Sequence, residues 1–460
     1  MIHIRFDKGT LLISNLAQNL ASIFPYLKWD IRVSAFRAMG YHYRNIILGL
    51  RKEQIVYQDE AKDFLPQNFS IQMQIEPRAY QTQALNAWLN QQSNGVVVLP
   101  TGAGKTILAV LAIAKIQRPT LIHVPTIDLM TQWYDVLLKF FGTKIGLLGG
   151  GYNQPENITV ATYDSALIHV PSKGNKFGFL IFDECHHLPS EQMQYTALSS
   201  IAPFRLALTA TPERSDGKEK LLYELCGGIC YQTDIKDLEG KTLAPYEIIT
   251  LEVEMSETEK KQYQEYRQIY LNFIRKNNIN FQQKNGWQQF IQLTCRTSDG
   301  KEAFAAYLKQ KKLSQSSENK LNYVWDIILK HRTDRVLIFT QDNETAYSIG
   351  KSFYLPVLTH HTKVKEREQF LTLFRQGVYN ILVTSKVLNE GVDVPEANVA
   401  VVVSGSGTVR EHVQRLGRIL RAKEGKKAIL YELISAGTSE YFVNQRRKMH
   451  SAYEKRTSEL

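Results

Sequence analysis

Cysteine is scarce, four in 460 residues. That is too few for a disulfide framework in a chain this long, and it favours a reducing intracellular setting over secretion. Long apolar runs are missing too. The longest candidate, Ile107 to Ala114, is far short of the ~20 residues a bilayer requires, so no membrane span and no membrane partner are expected. The opening Met1-Ile2-His3-Ile4-Arg5-Phe6-Asp7 lacks the basic start and apolar stretch of a secretory leader. Low-complexity tracts are absent. Acidic residues are outnumbered, 45 Asp plus Glu against 56 Lys plus Arg, a net charge of +11. An excess of that size favours a polyanionic partner. What is present is apolar surface: 43% hydrophobic and 22% charged residues exclude disorder as the main state. At roughly 150 residues per domain, a soluble intracellular protein of about three domains follows.

Short runs apolar on both faces recur: Val96 to Leu99, Thr120 to Val124, Ile158 to Val160, Phe179 to Phe182 and Leu206 to Leu208. Each is rich in branched side chains, as a parallel sheet covered by helices on both faces requires. The pattern returns at Val336 to Phe339, Asn380 to Val383 and Val399 to Val403, with a helical stretch at Glu366 to Phe374 placing Phe370, Leu371 and Phe374 on one face. The fold class is therefore α/β, with two parallel-sheet domains in tandem, at 76–255 and 321–460. Residues 256–320 between them read as a helical insert. Tyr263, Tyr266, Tyr270, Phe273 and Ile274 fall at helical spacing, and 12 Lys plus Arg against 6 Asp plus Glu leave it at +6. Its aromatic stripe is either buried in an amphipathic linker or available to stack bases beside a basic surface; both readings stay open. Residues 1–75 form a small N-terminal α+β piece. Ile2 to Phe6 and Thr10 to Ile13 flank a hairpin turn at Asp7-Lys8-Gly9, a second strand pair involves Trp29-Asp30 and Ala35 to Ala38, and a helix follows near Tyr43 to Leu50.

Chemistry concentrates in three places. Pro100-Thr101-Gly102-Ala103-Gly104-Lys105-Thr106 follows a strand and precedes an apolar helical run. Gly102 and Gly104 let the backbone wrap a phosphate chain, and the next helix points its positive end at the same phosphates. Lys105 would neutralise the β and γ phosphates and the Thr106 hydroxyl would hold Mg²⁺. The generic pattern wants glycine at position 99, where this chain has Leu99. Second, Phe179 to Phe182 ends in Asp183-Glu184-Cys185-His186-His187. Two acids at a buried strand end are costly without a cation; Asp183 would orient Mg²⁺ and Glu184 would polarise the attacking water. His186 and His187 have no further ligands at zinc spacing, and Cys226 and Cys230, around Gly227-Gly228, read as apolar or turn residues. Third, Arg418 and Arg421 in Gln414 to Arg421 share a helical face. Two guanidiniums there make an anion clamp able to reach a γ-phosphate held by the other domain.

Taken in order, Arg78-Ala79-Tyr80-Gln81, the phosphate loop, Pro125-Thr126, Thr162 to Ser165, Asp183-Glu184, Thr209-Ala210-Thr211-Pro212, Phe339-Thr340, Val383-Thr384-Ser385, Glu390 to Asp393 and the arginine motif resemble superfamily 2 helicases. More narrowly, Asp183 to Pro189, Ser404 to Gly407 and Gln414 to Arg421 look like the XPB (Rad25) branch of DNA-repair helicases, nearest its compact archaeal-type members. The resemblance covers about residues 76–450. It implies two RecA-like domains sandwiching ATP and Mg²⁺, a thumb-like insert, and an N-terminal damage-recognition-like domain. It also implies roles by position. Gln81 with Arg78 would read the adenine edge, and Asp393 would meet the ribose. Thr126, Thr162, Thr340 and Thr384 would touch the phosphate backbone of one strand. Thr209 and Thr211 would couple hydrolysis to domain movement. Arg214 and Asp216 would belong to a strand-opening loop that reads Arg-Glu-Asp in the family; here Ser215 replaces the middle acid.

The implied activity is an ATP-dependent DNA helicase or translocase moving 3' to 5' in repair, acting on single-stranded and fork or duplex DNA. No nuclease carboxylate cluster is evident, so a separate nuclease partner is implied. The location would be the cytoplasm of a prokaryote, nucleoid-associated, or a eukaryotic nucleus. Two alternatives remain: an ATP-gated clamp that recruits a repair partner without net unwinding, and an RNA helicase or restriction-complex motor.

Overall fold

The computed structural model describes residues 1–21, 23–214, 216–240, 243–281, 283, 285–385, 397–404, 417, 419 and 427–441. Asp393, Arg418, Arg421 and Ser215 lie outside them. The described residues divide into two compact units, Met1–Asp237 and, in the main, the chain from Leu238 onward. Among them no helix is long and apolar enough to cross a membrane.

The first unit opens with the hairpin β1 (Ile2–Asp7) and β2 (Thr10–Ser14). Its two-residue turn has φ 46° at Lys8 and 82° at Gly9, the left-handed pair that matches strand twist and that glycine tolerates. Helix α1 (Gln18–Ala21), strands β3 (Lys28–Asp30) and β4 (Ala35–Met39), helix α2 (Tyr43–Lys52) and β5 (Tyr57–Asp59) complete a sheet ordered β3-β4-β2-β1-β5. Alternate residues of β1 and β2, among them Ile4, Leu11 and Ile13, pack on Ile46 and Leu50 of α2. This sheet docks on the rest of the unit through Tyr41, whose ring lies 4.7 Å from the buried Arg205 guanidinium. Four carbonyls, of Ala197, Ser200, Ala202 and Leu225, accept from that guanidinium.

Next come α3 (Ala79–Asn90), β6 (Asn94–Val98), α4 (Lys105–Ile116), β7 (Thr120–Val124), α5 (Ile127–Phe141) and β8 (Ile145–Gly149). They are followed by β9 (Tyr152–Gln154), β10 (Ile158–Thr162), α6 (Tyr163–Lys173), β11 (Phe179–Asp183), α7 (Gln194–Leu198) and β12 (Phe204–Thr209). Helix α8 (Glu219–Cys226), β13 (Ile229–Gln232) and α9 (Ile235–Leu238) close the series. The sheet runs β13-β6-β12-β11-β7-β10-β8-β9, parallel except for β9. β7, β10 and β11 are buried at every residue, as a sheet covered on both faces demands. The carboxyl ends of β6, β11 and β12 carry the phosphate loop, the acidic pair and Thr209 to one edge.

The second unit is built on β14 (Tyr246–Val253), helices α10 (Glu257–Lys276), α11 (Gly286–Arg296), α12 (Ser298–Gln315) and α13 (Glu318–Lys330), and β15 (Val336–Phe339). Then follow α14 (Asn343–Phe353), β16 (Val357–Leu358), α15 (Val364–Gln376), β17 (Ile381–Thr384), β18 (Val399–Val402) and β19 (Ala428–Ser435). All pairs in this sheet, ordered β14-β19-β18-β15-β17-β16, are parallel. One expectation is corrected here. Residues 246–253, assigned by sequence to the 76–255 domain, pair along their whole length with β19 and so belong to the second sheet. Ser256 and Glu259 cap α10 reciprocally. Its aromatic stripe packs inward, with Tyr263 and Phe273 buried and Tyr270 against Phe290 and Tyr307, while Phe281 and Trp287 stay exposed.

Candidate active site

Position 99 holds leucine because it is fully buried, its N–H bonded to the Thr209 carbonyl. The loop after it turns through two left-handed glycines, φ 85° at Gly102 and 78° at Gly104, and α4 starts at Lys105. A Cβ at Gly104 would lie 2.6 Å from Gln81 Nε2. From beneath, Tyr80 donates its hydroxyl to the Ala103 carbonyl at 2.7 Å, and Gln81 Nε2 donates to the Ala103 and Gly104 carbonyls. Gln81 Oε1 accepts from the Arg78 N–H. The Nε2 end of that buried amide thus braces the loop and the Oε1 end caps α3, so the adenine-reading role expected of Gln81 is not what its side chain does here. Arg78, exposed, has its Nη1 3.3 Å from the Tyr80 hydroxyl.

Lys105 Nζ and Thr101 Oγ1 are buried without a hydrogen-bond partner, and the amine lies 3.7 Å from Glu184 Oε1. A buried ammonium left in that state is a strong demand for an anion. Asp183 sits at the end of β11, its Oδ2 accepting from Trp133 Nε1 at 2.8 Å and its Oδ1 from the Glu184 N–H. Burial, then the neighbouring Glu184 charge, push the Asp183 carboxyl up to about 6, against the pull of Lys105 and Trp133. Glu184 itself is held at φ 47°, a left-handed conformation that is strained for a non-glycine residue and often marks a functional turn. Charge for a polyphosphate, a carboxylate and hydroxyl for a divalent cation, and a second carboxylate for water stand together. These residues fit ATP with Mg²⁺: Lys105 and the loop would hold phosphates, Thr106 and Asp183 the metal. Among the described residues no three His, Cys, Asp or Glu side chains converge as a metal cage. Cys226 is buried in the core, and Cys230 donates to the Val96 carbonyl.

A chain of contacts leads away from this site. His186 Nδ1 lies 3.5 Å from Glu184 Oε2 and 3.4 Å from Thr209 Oγ1. Thr209 Oγ1 accepts from the Thr211 N–H and donates to the Thr211 carbonyl. Arg214 Nη1 donates to the His186 carbonyl, while its Nε and Nη2 grip Asp216 at 2.8 and 2.6 Å. Arg214 therefore folds back onto the acidic turn and holds Asp216 beside it.

The four backbone-contact threonines divide. Thr126 caps α5 and Thr162 caps α6, each hydroxyl accepting a helix N–H. Beside Thr162 lies Gly149-Gly150-Gly151, all left-handed, with nothing within 4 Å of a Cβ at Gly151. Thr340 and Thr384, in contrast, are fully buried and donate to backbone carbonyls, so the direct phosphate contact expected of them is not available in this structure. Sequence reasoning missed Trp133, Tyr163 (whose hydroxyl donates to the Asp183 carbonyl) and the bridging place of His186. Only His186 carried a local signal, its adjacency to the acids.

Residues 4–61 match the family described as the xeroderma pigmentosum group B helicase damage recognition domain. Residues 74–214 match the type III restriction enzyme res subunit, and 289–452 the ERCC3/RAD25/XPB C-terminal helicase. The chain is 39% identical over 448 residues to the DNA 3'-5' translocase XPB2 of Sulfurisphaera tokodaii, covering 97% of this chain and 100% of that one. It is 31% identical to the DNA 3'-5' helicase XPB of Mycobacterium tuberculosis, over 77% of this chain and 60% of that protein. The Schizosaccharomyces pombe XPB subunit of the general transcription and DNA repair factor IIH is 24% identical, and the chain spans 51% of its length. In fold, the crystal structure of the Pyrococcus furiosus Hef helicase domain superposes with a TM-score of 0.52 at 17% identity, over 80% of this chain and 98% of that one.

Proposed function

The chain belongs to the XPB (ERCC3/RAD25) helicase family, and from that premise we propose that it is an ATP-driven DNA helicase or translocase moving 3' to 5' and remodelling duplex in repair. The observation that carries the reading is the buried, unbonded Lys105 amine on its glycine loop, 3.7 Å from the Glu184 carboxylate that follows Asp183. When bound, Mg²⁺ supplies charge neutralisation for the phosphates and a template for in-line attack. Lys105 exchanges its weak ion pair for phosphate oxygens. That releases Glu184 to orient water and take its proton, with His186 alongside to hold the carboxylate in place. Thr209 and Thr211 transmit the change, and Arg418, Arg421 and Asp393 complete the nucleotide pocket, as the resemblance implies. DNA is the nucleic acid, single-stranded or at forks and in duplex; a separate nuclease and a nucleoid or nuclear location complete the proposal.

The test is DNA-stimulated ATP hydrolysis by the unaltered chain and by Lys105→Ala. Stimulation lost in the variant supports the assignment; stimulation retained near the unaltered rate removes it. A second reading, ATP-driven grip or translocation without strand separation, is favoured by Arg214, whose guanidinium is spent on Asp216 and the His186 carbonyl. Strand displacement measured beside triplex displacement separates the two.

A further inference from the structure

We propose that Lys320 is a positioning residue of the motor, a buried cation that pins the helical insert to the carboxyl end of β18 so that a strand held by the insert acts on that end. The inference rests on the helicase reading above. Lys320 lies in the first turn of α13, where the positive end of a helix disfavours a cation. Its side chain has no solvent exposure, a state lysine almost never takes unless paired. Each of its three donors has an acceptor. Nζ donates to the Ser314 carbonyl at 2.9 Å, to the Val403 carbonyl at 2.9 Å and to Glu440 Oε2 at 2.7 Å.

Those acceptors belong to three separate stretches of the second unit. Ser314 lies in the last turn of α12, where the insert closes. Val403 directly follows β18, its N–H bonded to the Phe339 carbonyl, and the next hydroxyl, Ser404 Oγ, accepts from the Gln341 N–H at 2.9 Å. Glu440 follows β19. Its Oε2 also accepts from the Ser435 N–H, and Ser435 Oγ donates to the Ser314 carbonyl at 2.6 Å. The joint is polar. The insert has an apolar core in Phe273, Ile279, Phe290 and Ala303, and the sheet has another, which takes in Val324, Ile327 and Val401. Along the last turns of α12 and at the end of β19, Gln310, Ser314 and Ser435 are buried instead.

Stability does not account for such a joint, because an interior ion pair adds little over apolar residues of the same size. What it supplies is direction. Two donors of one ammonium fix the end of the insert and the end of β18 against each other, and the carboxylate on the third keeps the charge in place. The insert carries 12 Lys plus Arg against 6 Asp plus Glu, and it exposes Phe281 and Trp287, a composition suited to a nucleic-acid strand. In sequence, β18 leads on to Gln414 to Arg421. Lys320 is thereby the link between a strand on the insert and the point from which the arginine motif departs.

The experiment compares the full unaltered chain with Lys320→Met and with Lys320→Met/Glu440→Gln. Measured are ATP hydrolysis without DNA and at saturating single strand, the strand concentration that gives half-stimulation, and the thermal midpoint. Lys320→Met leaves the Glu440 carboxylate, 13% exposed, without its cation, so the midpoint should fall. The amide of Glu440→Gln removes that charge, keeps an acceptor for the Ser435 N–H and should bring the midpoint back. The Ser314 carbonyl keeps the Ser435 hydroxyl in both variants, so the lasting loss is the bond to Val403. The inference expects the double variant to hydrolyse ATP without DNA at the unaltered rate and to reach half-stimulation at the unaltered strand concentration. Its stimulated rate should be lower by about tenfold, as for one charge-assisted hydrogen bond withdrawn from the stimulated state. Full stimulation in the double variant overturns the inference and leaves Lys320 a structural cation. Loss of both rates in step with an unrecovered midpoint overturns it equally. So does a shifted half-stimulation with an unaltered maximal rate, which would place the ammonium in strand binding. Absence of stimulation in the unaltered chain overturns the helicase reading and the inference together.

Discussion

His123 offers a measurable test of how the first sheet is packed. It lies near the carboxyl end of β7 with no solvent exposure, stacked at 4.4 Å on the Phe182 ring and 5.7 Å from Tyr163. Its Nδ1 meets the Ile181 carbonyl at 3.2 Å, so the proton sits there, and Nε2 is buried with no partner. Burial, reinforced by the Arg205 charge and opposed by the Ile181 bond, lowers the imidazole to about 3. In the unfolded chain it returns to near 6.5, so between those values the unfolded state binds more protons and stability falls with pH. The contribution is negligible at pH 7.5. It reaches about 2 kcal/mol at pH 5, from ~1.5 pH units at ~1.36 kcal/mol each. His123→Leu removes the titration. It forgoes the bond to Ile181, a uniform cost of about 1 kcal/mol, and relieves the unpaired Nε2. Urea unfolding followed by tryptophan fluorescence at pH 7.5 and pH 5 should therefore show the variant slightly less stable at the higher pH and more stable than the unaltered chain at the lower. Parallel pH slopes in the two proteins would refute the reasoning, since every other titrating group is shared.

Two further outcomes follow from the acidic turn. Arg214→Ala frees the His186 carbonyl and should lower kcat for ATP hydrolysis about tenfold, the ~1.4 kcal/mol of one charge-assisted bond, with KM for ATP little changed. A loss confined to strand displacement would show that the guanidinium acts on DNA instead. Trp133→Phe takes the 2.8 Å hydrogen bond from Asp183 and raises a carboxyl already lifted to about 6. Because the ionised form is the one that holds the metal, the acid limb of the kcat/KM profile should move to higher pH and the Mg²⁺ requirement should increase. An unmoved acid limb would detach Asp183 from metal binding.

The parts of the site legible in the sequence are those whose chemistry admits few residue types at fixed spacing. A phosphate loop needs left-handed glycines before a lysine at a helix start, and Gly102, Gly104 and Lys105 take those places. The strand-terminal Asp183-Glu184 pair is legible for a related reason: a run as apolar as Phe179 to Phe182 has no packing use for two acids. Strands buried on both faces, such as β7, β10 and β11, could be read from composition alone. Strand β14 could not, because this half-buried edge strand has Glu247, Thr250 and Glu252 interrupting its apolar residues and so shows neither a continuous apolar run nor a clean alternation. Its sheet membership is decided by a partner, β19, that lies 182 residues later from Tyr246 to Ala428.

Side-chain direction was less legible than side-chain identity, and the reason lies in how hydroxyls and amides are satisfied. A threonine at the end of a parallel strand can aim its hydroxyl outward at a ligand or back at the turn's own carbonyls, and nothing in its neighbours' identities decides between them. Thr162 turns to a helix N–H, whereas Thr340 and Thr384, buried completely, turn to carbonyls. Gln81 repeats the lesson: the amide that could read a base is drawn into its own capping box and the loop above it. The same competition makes Lys105 informative. Nζ has found no hydrogen-bond acceptor despite its burial, although the loop that positions it is rich in carbonyls, two of which are already taken by Tyr80 and Gln81. A fold that satisfies Gln81, Tyr80 and Trp133 internally yet leaves this one ammonium unbonded is organised around an anion that arrives from solution.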